Sequence, residues 1–431
     1  MRFIHTADWH LGRLFHAVHL TDDQSYVLDQ FVDLVAHVRP NAVLIAGDVY
    51  DRGVPPTDAV ELLNDVLQRI VRGLGVPVVM IAGNHDSPTR LGFGAELLAA
   101  EGLHVAGALP AAGALSVPFA DDHGVVLVQA VPYADPVEVR AALRRSPLAA
   151  DAPAEPSPDE PRPDIQTHEQ AMAALLARAR DAAPHDGRTV LVAHAFVAGA
   201  DTSDSERPLT VGGAGTVPAT LFDGFDYVAL GHLHRPQTAG ADAVRYAGSL
   251  LTYSFDEAAQ TKSVSVVEIG APGSALASAA AETGAVAHAG AAGGAAVAAP
   301  PALARVTVEQ VELRPRRRVR VLEGTLDELL QRPPAAEARD DYVCARLTDP
   351  GAVLNAMARL QQVYPNCLHL EFVRELPAAG RDLTRADPAA RTEGEHFADF
   401  FELVTDEPLT SAQRERLDAV IAGLQRDDRE A

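Results

Sequence analysis

Within the first 234 residues, short apolar runs end repeatedly in side chains that bind divalent cations. Arg2–Thr6 leads into Asp8-Trp9-His10, and Ala42–Ala46 into Gly47-Asp48-Val49-Tyr50-Asp51. Val76–Ala82 leads into Gly83-Asn84-His85-Asp86. Val190-Leu191-Val192 is followed by His194, and Tyr227–Leu230 by Gly231-His232-Leu233-His234. Short apolar runs alternating with helical patterns are the signature of an α/β sheet. In an open α/β sheet the carboxyl ends of the strands converge on one edge, where ligands bind. The five motifs are therefore expected to meet in space although they are scattered along the chain.

The same alternation extends through Val125–Ala130, Thr189–Val192 and Ser263–Ile269. A helix is expected to open at the capping box Thr21-Asp22-Asp23-Gln24 and to stop before Pro40. Another follows Pro55-Pro56-Thr57, with Val60, Leu63, Leu67 and Val71 on one face. Ala149–Pro163 and Gly270–Pro301 are rich in Pro, Ala or Gly and bury too little to offset their ordering entropy. The second would be the enlarged tip of a hairpin between Ser263–Ile269 and Val306–Leu313.

These features suggest a first domain over residues 1–313, with flexible insertions at about 149–163 and 270–303. A smaller α+β domain is expected over 314–378, with strands Arg318–Leu322, Tyr342–Leu347 and Cys367–Val373. Its helix Gly351–Tyr364 would turn Leu354, Met357 and Leu360 inward. Residues 379–431 carry two amphipathic helices opened by capping boxes at Thr392 and Thr410. One presents Phe397, Phe400, Phe401 and Val404; the other presents Leu417, Val420, Ile421 and Leu424.

Composition narrows the chemistry. A net charge of −23 over 431 residues argues against the chain as a whole gripping nucleic acid through a broad basic face. Two cysteines, Cys344 and Cys367, make neither a disulfide framework nor a Cys-based zinc site, and a cytoplasmic location is expected. No run reaches the roughly 18 apolar residues of a membrane span. Carboxylate, amide oxygen and imidazole together favour manganese, iron or zinc over copper. A carboxylate such as Asp48 can bridge two ions about 3.5–4 Å apart, and such a pair would supply the positive charge that this acidic chain lacks at a phosphodiester.

Each motif alone has a bland explanation. A single His-x-His is commonly accidental, and Gly-Asp or Asn-His after a strand is ordinary turn chemistry. The ordered set, each member following a strand, carries the weight. His5, His16, His19, His37, His104 and His123 lack that context, although His16 is close enough to the first motif to line the mouth of the site. The basic run Arg314–Arg320 reads as a solvated strand edge.

In this order, Asp-x-His, Gly-Asp-x-x-Asp, Gly-Asn-His-Asp, His and Gly-His-x-His resemble the calcineurin-like metallophosphoesterases. The runs His5–Gly12, Ala46–Asp51 with Pro55-Pro56, Ala82–Ser87, Ala229–Arg235, Arg245–Ser249 and Ser254–Glu257 are similar to the SbcD family of bacterial nuclease subunits. The resemblance implies a two-layered β-sandwich flanked by helices, with a capping domain and C-terminal helices that dock an SbcC-type coiled-coil ATPase. It implies seven metal ligands, namely Asp8, His10, Asp48, Asn84, His194, His232 and His234, with Asp48 bridging two divalent ions, manganese by preference. His85 would protonate the leaving oxygen, and the Asp51 carboxylate would pair with it. The implied activity is exonuclease on double-stranded DNA and endonuclease on single strands and hairpins, by a homodimer on the nucleoid. Other readings are a stand-alone phosphoesterase for a phosphoprotein or small ester, and a scaffold that regulates the ATPase. An intact ligand set argues against the scaffold.

Overall fold

The apolar runs pair as parallel strands in two sheets that share one core. This is seen in a computed structural model that describes residues 1–110, 112–144, 165–183, 187–206, 215–271, 305–351, 353–373, 392–405 and 408–430. The insertion expected at 149–163, and that at 270–303 beyond Ala271, lie outside the described residues.

The first sheet contains β1 (Arg2–Thr6), β2 (Ala42–Ile45), β3 (Val78–Ile81) and β4 (Leu103–Ala106). The second contains β5 (Leu115–Asp121), β6 (Gly124–Val131), β7 (Arg188–His194), β8 (Tyr227–Gly231), β9 (Gln237–Ala239) and β10 (Ala241–Tyr246). The first is completed by β11 (Ser263–Ile269) and β12 (Val306–Glu312). The strand orders are β12-β11-β1-β2-β3-β4 and β9-β10-β8-β7-β6-β5. β1 through β4 are mutually parallel, as are β6, β7, β8 and β10. β11 and β12 form the expected antiparallel hairpin, in register from Ser263↔Glu312 to Ile269↔Val306.

Alternate side chains explain why the central strands read as unbroken apolar runs: both of their faces are covered. Phe3, Leu44, Val79 and Val267 of the first sheet and Val128, Val190, Val192 and Ala229 of the second meet in one buried cluster. The opposite face of the second sheet, with Leu191, Val228 and Leu230, packs with Met172, Leu175 and Leu176 of the helix His168–Asp181. The helix Thr21–Val38 buries Val27, Leu28, Phe31, Val32 and Val35.

Strands β4, β5, β9 and β10 were not expected from the sequence. β5 carries Pro118, which breaks a strand pattern; it lies at a sheet edge, where the missing N–H has no ladder partner to lose. The capping box expected at Thr21 is absent. The N-cap is Leu20, Thr21 Oγ1 donates to Asp58 Oδ2, and the Gln24 side chain turns inward to the first motif.

By its internal contacts the chain divides into two compact units, residues 1–321 with 340–342, and residues 322–339 with 343–431. The strands Val319–Gly324, Tyr342–Leu347 and Cys367–Phe372 form a three-stranded sheet. In the second unit, Leu326, Leu329, Val343, Ala345, Leu347, Leu360, Tyr364 and Cys367 make a separate apolar core. Its helix spans Ala356–Val363, so Leu354 precedes it and is 83% exposed instead of inward. Capping boxes form at Thr392 and Thr410, as expected. No helix among the described residues is long and apolar enough to cross a membrane.

Candidate metal centre

The loops that follow β1, β2, β3, β7 and β8 are built on one another. The Asp8 and His10 amides donate to the carbonyls of Gly47 (3.0 Å) and Asp48 (2.9 Å). The Asp86 carboxylate accepts from the amides of Val49 (3.1 Å), Tyr50 (2.9 Å) and Gly83 (2.9 Å), locking the second motif to the third. Gln24, fully buried, donates to the His10 carbonyl at 2.8 Å and accepts from the Gly12 amide at 3.2 Å.

These loops are tight enough to strain the backbone. Asp8 (φ 53°), His10 (φ 44°), Asp48 (φ 48°) and His232 (φ 112°) all lie in the left-handed region, which non-glycine residues rarely occupy. Such outliers cluster where surrounding structure forces a side chain into a working position. Close approach also fixes two glycines: a Cβ on Gly83 would collide with the Asp48 carboxylate, and one on Gly231 with the Ala46 carbonyl.

The seven side chains singled out in the sequence come together. Asp8, His10 and His234 form one group, and Asp48, His194 and His232 a second, each with ligand atoms within 4.8 Å of one another. Asp48 Oδ2 lies between the groups, 3.7 Å from His10 Nε2 and 3.5 Å from His194 Nε2. Asn84 Oδ1 is 2.9 Å from His194 Nε2 and 3.1 Å from His232 Nδ1. His10 Nε2 and His234 Nε2 face each other at 3.0 Å. Among the described residues His10 Nδ1 is buried without a hydrogen-bond partner, with Asp51 Oδ1 3.6 Å away, a costly state for a ring nitrogen. A convergent set of oxygens and imidazole nitrogens without sulfur fits hard or borderline divalent ions.

Burial dominates the electrostatics of these groups. It raises Asp8 well above the usual carboxylate range and lowers His10 and His234; it pushes His232 down to about 3. It also lifts Asp86, beside Asp48, to about 7. His194 is the exception: burial opposes its charge, but the Asp48 carboxylate, with Asp8 behind it, outweighs this and raises His194 to about 9. Against the effect of burial, His194, with His10 and His85, holds Asp48 well below its ordinary value.

The partner expected for His85 differs. Its Nδ1 lies 2.8 Å from the main-chain carbonyl of Asp51, while the Asp51 carboxylate takes a hydrogen bond from Arg13 Nη1 at 3.1 Å. A carbonyl only accepts, so Nδ1 carries the proton and Nε2 is left free, 4.0 Å from Asp48 Oδ2. Outside the site proper, His5 is buried between the Tyr227 hydroxyl (2.9 Å) and the Leu230 carbonyl (3.1 Å), and serves the core.

An open cleft of about 360 Å³ adjoins His85, lined also by Arg13, Leu14, Asp51, Ser205 and Glu206. Arg13 brings the guanidinium to this lining. That group also donates to the Ser205 carbonyl at 3.0 Å and sits 4.9 Å from the Tyr253 ring centroid. Burial raises Glu206 to about 6, and its carboxylate accepts from the His234 amide at 2.7 Å. Sequence reasoning did not place Arg13, Ser205 or Glu206 at the site, and it read Gln24 only as part of a capping box. Arg13 and Gln24 are near the first motif but follow no strand-end pattern, and Ser205 and Glu206 lie in a loop without periodicity.

The calcineurin-like phosphoesterase family matches residues 1–236, more than half of the chain. The type 5 capsule protein repressor C-terminal domain family matches residues 315–405. A curated relative, the SbcD subunit of the SbcCD nuclease of Staphylococcus saprophyticus, is 29% identical over 429 residues, covering 98% of each chain. Among solved structures, the phosphopantetheinyl hydrolase of Mycobacterium tuberculosis matches at 18% identity with a TM-score of 0.31, over 57% of this chain and 88% of that one. A dimetal phosphatase of Danio rerio matches at 12% identity with a TM-score of 0.35, over 62% of this chain and 94% of that one.

Proposed function

This chain belongs to the calcineurin-like phosphoesterase family, and on that footing we propose that it is a DNA nuclease that works with an SbcC-type coiled-coil ATPase. The observation that carries the reading is the pair of ligand groups meeting at Asp48, in a chain aligned end to end with the nuclease component of an SbcCD complex. Asp8, His10 and His234 would hold one divalent ion, and Asn84, His194 and His232 the other, with Asp48 shared. Manganese is the proposed metal for this oxygen-and-nitrogen donor set. Two such ions activate a water and neutralise charge on a phosphodiester.

The remaining work falls to the chain's own groups. His85 has its Nδ1 proton committed to the Asp51 carbonyl, so Nε2 is the atom that carries a proton to the leaving oxygen, as general acid catalysis requires. Arg13 supplies a fixed positive charge to the cleft, held in place by the Asp51 carboxylate. Asp51 thus organises the acid through its main chain and the cation through its side chain.

Two further features support an assembly. Phe93 and Leu97, 84% and 81% exposed, with Leu98 at 39%, form an apolar surface in the segment just after the third motif, suited to a second copy of the chain. The C-terminal helices Glu393–Thr405 and Ser411–Glu430 are the proposed ATPase dock; Phe397 is 44% exposed and Val420 is 52% exposed. A net charge of −23 leaves most of the grip on DNA to that partner.

The test uses the full chain, alone and with its ATPase, in manganese. Hairpin DNA, linear duplex and p-nitrophenyl phosphate esters are offered in parallel. Cleavage of DNA by the complex is expected; rapid ester hydrolysis without DNA cleavage in any combination would sink the nuclease reading in favour of a stand-alone phosphoesterase.

A further inference from the structure

Two histidines of the site are braced by neutral main-chain oxygens. His194 Nδ1 lies 2.9 Å from the Ala46 carbonyl, and His85 Nδ1 2.8 Å from the Asp51 carbonyl. His234 is braced differently. Its Nδ1 meets the Ser205 hydroxyl and, at 3.4 Å, Glu257 Oε1. Ser205 in turn donates to Glu257 Oε1. An ionised carboxylate only accepts, so the serine proton points at Glu257 and the serine oxygen is left to accept from His234 Nδ1–H. This relay fixes the tautomer, turning the bare Nε2 of His234 toward His10.

Glu257 is fully buried, and its other hydrogen bonds among the described residues are all with donors. Oε2 takes Lys262 Nζ at 2.6 Å and the Tyr253 amide at 3.2 Å. Oε1 takes Ser203 Oγ at 3.0 Å and Ser254 Oγ at 2.9 Å. Lys262, 5% exposed, also donates to the His234 carbonyl at 2.8 Å. A buried Glu–Lys pair is poor value as a stabilising device, because desolvation offsets most of its attraction. Placed directly behind one candidate ligand, it has another use.

We infer that the buried Glu257 carboxylate, held in place by Lys262, is a positioning residue that makes the Asp8–His10–His234 group the tighter of the two cation positions. The inference rests on the two-metal reading of the site. A carboxylate behind a ligating imidazole orients the ring and increases its basicity more than a carbonyl does, and losing such a partner commonly weakens metal affinity about 10–100-fold.

The test is a cobalt(II) titration of the metal-free, full-length chain, followed by ligand-field absorption, with the melting temperature of each metal-free protein measured alongside. Wild type is expected to fill in two phases. Glu257→Gln, which keeps the shape but not the charge, should weaken the first phase by about 10–100-fold and leave the second in place. Because that variant strands Lys262, the double variant Glu257→Gln/Lys262→Met is titrated too, and should show the same selective loss. Two wild-type phases that are unchanged in Glu257→Gln, or weakened equally, would overturn the inference. So would a single unresolved wild-type phase, or a double variant that binds like wild type, which would assign the effect to the stranded lysine. A wild-type chain that takes up no cobalt would overturn the two-metal reading itself.

Discussion

The two units treat their interiors in opposite ways. The second fills its core with aliphatic side chains, and its buried Tyr364 hydroxyl is satisfied by the Leu329 carbonyl at 3.0 Å. The first buries Asp8, His10, Asp48, His194, His232, His234, Glu257 and Lys262 at one edge of its sheets. Buried ionisable groups are costly unless paired or coordinated. The second unit's interior is therefore explained by stability, whereas the first unit's edge is explained only by what it binds. The contrast shows where to expect a mutation to alter chemistry and where to expect it to alter folding.

Five measurements test that division. The largest effect is expected for Asp48→Asn. Asp48 Oδ2 lies between the two groups of candidate ligands, so on the proposed two-metal reading the variant should lose bound metal and about 10³-fold or more in activity, checked by metal analysis and turnover on an ester substrate. His85→Ala should cost about 10²- to 10⁴-fold in turnover while manganese content stays at the wild-type level; loss of metal would mean that His85 is a ligand.

Leu360→Ala, in the second unit's core, should destabilise that unit by roughly 2–5 kcal/mol in denaturant unfolding and leave ester hydrolysis intact. A collapse of hydrolysis would show that the units are not separable in function.

A pH series is expected to act on the first unit's edge through His194. In the metal-free protein His194 sits at about 9, above its ordinary 6.5. Its proton therefore stabilises the fold fully below about 6.5, and that contribution is lost as pH rises through about 9. Metal must displace the same proton, so manganese affinity should rise with pH up to about 9, by at most about tenfold per unit for this group. Calorimetry in two buffers of different ionisation enthalpy would count the protons released; zero at pH 7 would contradict the assignment. Smallest of all, Leu354→Ser on the second unit's surface should change stability by no more than about 0.5 kcal/mol.

The same contrast explains what could be read from the sequence. The strand-end motifs were legible because a buried parallel strand leaves a continuous apolar run, and the ligand types follow it directly. β1, β2, β3, β7, β8 and β11 all announced themselves in this way. β5 did not, because Pro118 interrupts its pattern; β9 has only three residues, and in β10 Asp242 and Arg245 break up the apolar run. Within the site, side-chain identity did not reveal backbone bonding: His85 was expected to take a carboxylate and takes a carbonyl. Gln24 satisfied a capping pattern, yet the buried loop carbonyls of Trp9 and His10 recruited its amide instead. In the second unit, Leu354 fitted a helical period that begins only at Ala356, a boundary that periodicity does not fix.

The left-handed backbone at Asp8, His10, Asp48 and His232 has a consequence for how this protein ages in a cell. Each such residue costs on the order of 1–3 kcal/mol, and the neighbouring loops alone must hold it whenever the site is stripped of its ligand. Chelation should therefore loosen three strand ends at once, those of β1, β2 and β8, exposing them to proteases and to amide exchange ahead of the rest of the sheet. A chain that loses its cargo becomes marked for turnover by the same geometry that made it competent.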